Sequence, residues 1–311
     1  MRHLKNKPLF ELTNTNSNIL NKIRRYFVDR ELVRISNINI KKHKQLAIFS
    51  FDYISNLINI DGIYEIDDLN VFINWLISFN TKEIFNGIVL DIGANIGNHS
   101  LFFADYFTEV YSYEPHPLNY KLLLFNSYLA TNVKCFHTGI SSSSGICKLE
   151  YNKSNMGGGR IENKASDNSY DLRYSVNLNT IDFLLSNNER ISPVKLIKID
   201  VEGHELEALK GAENTIKSFQ PIIIFEQHSS EFFDGTTNVI ELLKLYGYKN
   251  FAKIDKSPSP PDYLPTFLKL FYSTIHRIIF GSSIKISLVE NFQPKFYPFI
   301  IAIPNEIDLQ Q

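Results

Sequence analysis

Cysteine is almost missing from this chain of 311 residues, which has only Cys135 and Cys147. Two thiols at that spacing build neither a zinc motif nor a disulfide framework, so a reducing, cytoplasmic setting is expected. Long apolar runs are missing too. No stretch of eighteen apolar residues occurs, and the first thirty hold no apolar core ahead of a small-residue cleavage site, so neither a spanning helix nor a signal peptide is expected. An excess of either charge is also lacking. A net charge of −1, from 32 Lys/Arg and 33 Asp/Glu, argues against nucleic-acid binding through bulk electrostatics. Glycine is sparse at 14 and never spells a phosphate loop. Gly157-Gly158-Gly159 lacks the Lys-Ser/Thr pair of a P-loop, and Gly93 and Gly97 do not make the G-x-G-x-x-G of a dinucleotide fold.

What the chain does have is the stretch Val89-Leu90-Asp91-Ile92-Gly93-Ala94-Asn95-Ile96-Gly97, a buried strand breaking into a glycine turn and then a helix. Such a turn opens a crevice at a strand's carboxyl end, where open α/β sheets bind nucleotide-like ligands. Asp91 beside the turn repels phosphate and suits a ligand with a positive centre, such as the sulfonium and ammonium of S-adenosylmethionine (SAM). Glu114 ends the next apolar strand, where a carboxylate can accept from both ribose hydroxyls.

Strands are expected near 87–92, 109–113, 133–137, 194–200 and 221–227, with helices near 98–107, 117–130, 204–218 and 236–246. Alternation of the two implies a parallel sheet with right-handed crossovers. Residues 1–80 read as a basic N-terminal extension ahead of a domain at 81–311. Eleven Lys/Arg against three Asp/Glu fall within residues 1–44, a solvated face or a contact for an anionic partner. Within the extension the pattern predicts a helix at 18–33, an edge strand at 44–53, a turn at Asp61-Gly62, and a helix capped by Asp67 or Asp68. The excursion 141–179 carries two strand-like segments around the glycine run, which reads as a hinge or lid. Ser257-Pro258-Ser259-Pro260-Pro261 opens an insertion at about 257–285, and residues 285–290 and 297–303 are expected to close the sheet as an antiparallel pair. Within that insertion Leu264, Phe267, Leu268, Phe271, Ile275, Ile278 and Ile279 recur at helical spacing. This apolar face needs a cover, either the protein itself, a second copy of the chain, or a membrane interface shared with the basic arm.

A second buried strand, Lys195 to Asp200, delivers Asp200, Glu202, His204 and Glu205 across the crevice from Gly93. So many ionisable groups at one strand tip point to chemistry, with one acid left over for capping the following helix. Asp200, His204 and His228 are the candidate general bases, and Lys198 orders the carboxylates. Asp200, Glu202, Glu205 and His228 also offer an oxygen-rich set for magnesium, a variant held below the metal-free reading.

These residues resemble the FkbM family of SAM-dependent methyltransferases. The resemblance runs from about Ile63 to Phe225 and rests on Asp91 to Gly97, Tyr113-Glu114-Pro115, Leu178-Asn179-Thr180-Ile181-Asp182, Lys198-Ile199-Asp200-Val201-Glu202-Gly203-His204-Glu205 and Leu209-Lys210-Gly211-Ala212. It implies a seven-stranded Rossmann-like α/β sheet, mostly parallel with an antiparallel last strand, and a cofactor set of Asp91, Gly93, Asn95, Gly97, Glu114, Gly139, Ile140 and Asp200. The implied activity is O-methylation of a hydroxyl, on a sugar of a glycan or lipid-linked saccharide. A natural-product O-methyltransferase and a non-catalytic SAM-binding module are the alternatives.

Overall fold

The computed structural model describes residues 19–79, 82–152, 155–161, 172–186, 192–258, 264–281, 283–305 and 307. Expectations for residues 1–18 lie outside them. The chain opens with helices α1 (Ile19–Asn39), α2 (Tyr53–Asp61) and α3 (Ile66–Ser78). An alternating core follows: β1 (Ile88–Ile92), α4 (Asn98–Phe103), β2 (Glu109–Tyr113), α5 (Pro117–Ser127) and β3 (Val133–Phe136). Next come β4 (Gly139–Ile140), β5 (Gly145–Asn152), β6 (Asn155–Ile161) and β7 (Leu172–Asn179), then α6 (Ile181–Ser186), β8 (Val194–Ile199), α7 (Glu205–Lys210), α8 (Glu213–Phe219), β9 (Ile222–Gln227) and α9 (Asn238–Leu245). The chain closes with β10 (Asn250–Ser257), α10 (Thr266–Phe280), β11 (Ser283–Leu288) and β12 (Tyr297–Ile303).

The main sheet has the order β11-β10-β12-β9-β8-β1-β2-β3. Its central strands β1, β2, β8 and β9 pair in parallel and are mostly buried on both faces, in keeping with their largely apolar sequences. Eight strands therefore replace the seven expected. Strands β11 and β12 also do not pair with each other: β10 lies between them and is antiparallel to both. The insertion carrying α10 separates β10 from β11, so β11 folds back on the outer edge of β10 while β12 enters between β10 and β9. The described strands between Gly139 and Asn179 form a second sheet, β4-β7-β5-β6, which places the glycine run in strand β6 and corrects the hinge reading.

The N-terminal expectations change most. Residues 44–49 form no strand, because the backbone of Ala47 is paired by a side chain: Asn126 Oδ1 accepts its N–H at 2.7 Å, and Asn126 Nδ2 donates to its carbonyl at 2.9 Å. The expected strand and turn before Gly62 are helix α2, capped by Asp52, which accepts from the Ser55 N–H at 3.1 Å, and closed by Gly62 at φ +85°. Helix α3 starts two or three residues early, from Glu65 in the left-handed region at φ +59°. Its Leu69, Phe72, Ile73 and Leu76 are buried against the sheet, each worth about 1.5–3 kcal/mol of burial. Asp68, expected as a cap, instead pairs with Lys256 of β10.

The helix expected over 204–218 is broken into α7 and α8. A Cβ on Gly211 would sit 2.0 Å from the Ser141 carbonyl oxygen, and the Gly211 carbonyl accepts from the Asp182 N–H at 3.0 Å, so the chain turns there. Asp182 in turn caps α8, accepting from the Asn214 and Thr215 amides at 2.9 Å each. Thr180 and Asp182 are thus explained as helix caps and Gly211 as a packing residue. Helix α10 forms as the periodicity predicts, and Phe267, Phe271, Ile275, Ile278 and Ile279 on it are exposed.

Candidate active site

A cavity of about 330 Å³ opens over the carboxyl ends of four neighbouring strands. Glu114 follows β2, Gly93 and Asn95 follow β1, Asp200 and Glu202 follow β8, and Glu226 and His228 stand at the end of β9; all line it. Phe296, just before β12, closes the row. Neighbouring strands are about 4.8 Å apart, so the row from β2 to β9 spans about 14 Å. The second sheet supplies Gly139, Ile140, Leu149, Gly159 and Leu178, helix α2 supplies Tyr53 and Ile54, and the turn before α3 supplies Tyr64 and Glu65.

At the β1 end the turn is built for close approach. Gly93 holds φ +80°, and a Cβ there would fall 1.8 Å from the Asp200 carbonyl oxygen, so nothing larger than glycine fits. The amides of Gly93 and Ala94 both donate to the Tyr113 carbonyl at 3.0 Å, which ties the turn to the end of β2. Glu114 is 5% exposed. Its carboxylate accepts from the Asn95 N–H at 2.8 Å and the His116 N–H at 2.7 Å, leaving lone pairs toward the cavity. Burial pushes its pKa up to about 8, with those two amides pulling the other way. Asp91 and Gly97 do not line the cavity. Gly97, at φ +91°, caps α4. Asp91 is fully buried, accepts from Ser100 Oγ at 2.5 Å and faces Lys198 Nζ at 3.4 Å.

Lys198 is the hub beneath the site. Its ammonium, 4% exposed, also lies 3.3 Å from Asp200 and donates to the Gly93 carbonyl at 3.1 Å. Burial disfavours that charge, but Asp200 and then Asp91 more than offset it, so the lysine pKa sits above its ordinary value. One buried cation therefore fixes the β1 turn against the β8 tip. Removing one partner of such a pair costs about 3–5 kcal/mol.

Beyond Asp200 the loop runs through Glu202 at φ +52° and Gly203 at φ +91°. Glu205 holds that loop, accepting from the amides of Val201 at 3.2 Å and Gly203 at 3.1 Å, so it braces the turn ahead of α7 and does not cap the helix as expected. Burial raises its pKa to about 7. His204 lines the cavity with Nε2 at 2.9 Å from Ser141 Oγ, and burial lowers its pKa. His228 Nε2 lies 3.2 Å from Glu226 and 3.5 Å from Glu202. Burial, followed by repulsion from Asp200, Glu202, Glu205 and Glu65, pushes Glu226 up to about 9; burial and then Asp200 raise Glu202. Glu202, Glu226 and His228 each offer an atom within 4.8 Å of the others, the one cluster of metal-ligand type among the described residues. It differs from the sequence-derived set, since Glu226 enters while Asp200 and Glu205 do not.

Glu226, Tyr64 and Glu65 were not among the residues expected here. Glu226 had a signal: it lies two residues before His228, on the same face of the strand end. Tyr64 and Glu65 had none, because their place depends on the left-handed backbone at Glu65.

Residues 91–249 match the methyltransferase FkbM domain. The hexuronic acid methyltransferase AglP of Haloferax volcanii is 32% identical over 161 residues, covering 51% of this chain and 63% of that protein. The methyltransferase sdnD of Sordaria araneosa is 27% identical, with 41% of this chain and 61% of that protein covered. The chain spans less than two thirds of the length of either curated relative. Among solved structures, a methyltransferase FkbM from Methylobacillus flagellatus KT is 18% identical at a TM-score of 0.35, covering 53% of this chain and 39% of that one.

Proposed function

We propose, for a chain that belongs to the FkbM methyltransferase family, that it moves a methyl group from SAM to a hydroxyl of a saccharide. The observation that carries this reading is the single cavity in which Glu114 and Gly93 stand at one end of a row of strand tips and His228 at the other, with Asp200 between. The residues at the β1–β2 end fit the cofactor. Gly93 turns tightly against the β8 tip and so lets bare backbone line the cavity, Glu114 lines it with a buried carboxylate suited to ribose hydroxyls, and no phosphate-binding glycine pattern is present. Bound there, SAM supplies an electrophilic methyl group on a good leaving group.

The protein's part is alignment and proton removal. Asp200 stands at the middle of the row, held by Lys198, and is the proposed base for the acceptor hydroxyl. His204 and His228 already have partners, Ser141 for one and the two glutamates for the other. The name of the AglP relative supports a sugar acceptor. Calorimetry tests the cofactor half of the reading: SAM or its demethylated product should bind, and NAD should not. Equal affinity for NAD overturns it.

No described helix is long and apolar enough to cross a membrane. The exposed face of α10 is instead read as lying in a membrane interface, with the basic helix α1 adding attraction to anionic lipid. Sedimentation with anionic vesicles should show binding that falls at high salt and after Phe267→Ser with Phe271→Ser. A dimer that ignores vesicles and becomes monomeric with those changes gives the face to a second subunit.

A further inference from the structure

We propose that the far end of the cavity selects an acceptor ring carrying a protonated amine beside the reacting hydroxyl, and rejects one carrying a carboxylate. This deepens the methyl-transfer reading and rests on it. Three carboxylates from three separate segments face this end: Glu226 from β9, Glu202 from the loop after β8, and Glu65 from the turn before α3. Glu226 and Glu65 keep only 15% of their side chains exposed, so solvent screens them poorly. Two of the three converge on the His228 imidazole, at 3.2 and 3.5 Å, and the third has His99 Nε2 behind it at 3.4 Å. No lysine or arginine lines the cavity among the described residues. Lys198, the cation beneath it, is already held by Asp91, Asp200 and the Gly93 carbonyl.

The apolar part of this end points the same way. Tyr53, Tyr64 and Phe296 line it, and Tyr53 and Phe296 leave 61% and 50% of their surface open. Aromatic faces set around carboxylates form the environment that holds an ammonium group, by the attraction of a cation to the ring face together with direct ion pairing. The same rings pack on the apolar face of a pyranose. A uronate meets the opposite situation. It adds one more negative charge to a crowded group of acids, and each ionised neighbour at about 5 Å in a half-buried site costs it more than a tenfold loss of affinity. The specificity proposed for this chain therefore differs from the one in the name of its hexuronic acid relative.

The test is equilibrium binding of methyl glucosaminide, methyl glucoside and methyl glucuronide to the full chain, by calorimetry near pH 7, with and without saturating S-adenosylhomocysteine. The glucosaminide should bind at least tenfold more tightly than the glucoside, and the glucuronide more weakly than either. Glu226→Gln should cut the ratio of glucosaminide to glucoside affinity at least fivefold. Glu65→Gln, on a different segment, should move that ratio in the same direction, and a thermal melt checks that each variant is folded. Equal affinities, a preference for the glucuronide, or no binding of any of the three overturns the proposal. Glucuronide binding that appears only with added magnesium also overturns it, in favour of a metal at Glu202, Glu226 and His228. Failure of S-adenosylhomocysteine itself to bind counts against the methyl-transfer reading and is seen separately.

Discussion

Replacing Asp200 by asparagine should lower methyl transfer by about 10²- to 10⁴-fold, the range a positioned general base contributes, while the protein stays folded and still binds cofactor. Asparagine keeps the shape and most of the hydrogen bonding but removes the charge that accepts the hydroxyl proton. The geometry sets a second signature. Lys198 sits 3.3 Å from Asp200 and 3.4 Å from Asp91, so the variant leaves that ammonium with Asp91 and the Gly93 carbonyl, and the β1 turn keeps its anchor. The loss should therefore fall on kcat. Steady-state kinetics with the natural acceptor checks this, and normal turnover moves the base to His204 or His228.

Replacing Glu114 by alanine should weaken SAM binding by about 1–3 kcal/mol, the cost of removing hydrogen bonds to a charged acceptor. The direction of its pH dependence follows from burial. With a pKa raised to about 8, the empty-site carboxyl is largely protonated at neutral pH, whereas a carboxylate that takes hydroxyl protons from ribose must be ionised. Affinity should therefore rise between pH 6 and pH 8.5 and level off above, with proton release on binding. The alanine variant should lose both the affinity and the slope. An unchanged affinity removes Glu114 from the cofactor site. The raised pKa also makes Glu114 stabilise the empty protein below its unfolded-state pKa, a contribution lost as pH rises through 8.

Which parts of this arrangement could be read from the chain depends on whether local pattern or long-range contact decides them. The strands from Val89, Val110, Val194 and Ile222 are short, largely apolar and β-branched segments that are mostly buried, and their positions follow from that pattern. Gly93 was legible because a Cβ there collides with Asp200, a constraint that leaves only glycine. Asp91 shows where local reading misleads. Its carboxylate, expected beside the cofactor, turns instead into the sheet to meet Ser100 and Lys198, and that choice depends on a strand more than a hundred residues away. The far end of the cavity was the least legible. Residues 44–65 look like strand and turn by alternation, yet Asn126 takes up the backbone of Ala47 and Asp52 starts a helix, which brings Tyr53, Tyr64 and Glu65 to the cavity. No local pattern encodes those contacts. The placement of β12 between β9 and β10, which carries Phe296 to the mouth, is equally a matter of topology.

The most direct measurement is transfer of an isotopically labelled methyl group. The full chain, SAM labelled in its methyl group, and saccharides from the cell envelope of its host are incubated together, and products are read by mass spectrometry with fragmentation. The account predicts a saccharide that has gained one labelled methyl on oxygen, formed together with an equal amount of S-adenosylhomocysteine and lost in Asp200→Asn. SAM that binds yet leaves every saccharide unlabelled, or a label that arrives on nitrogen or carbon, would contradict it.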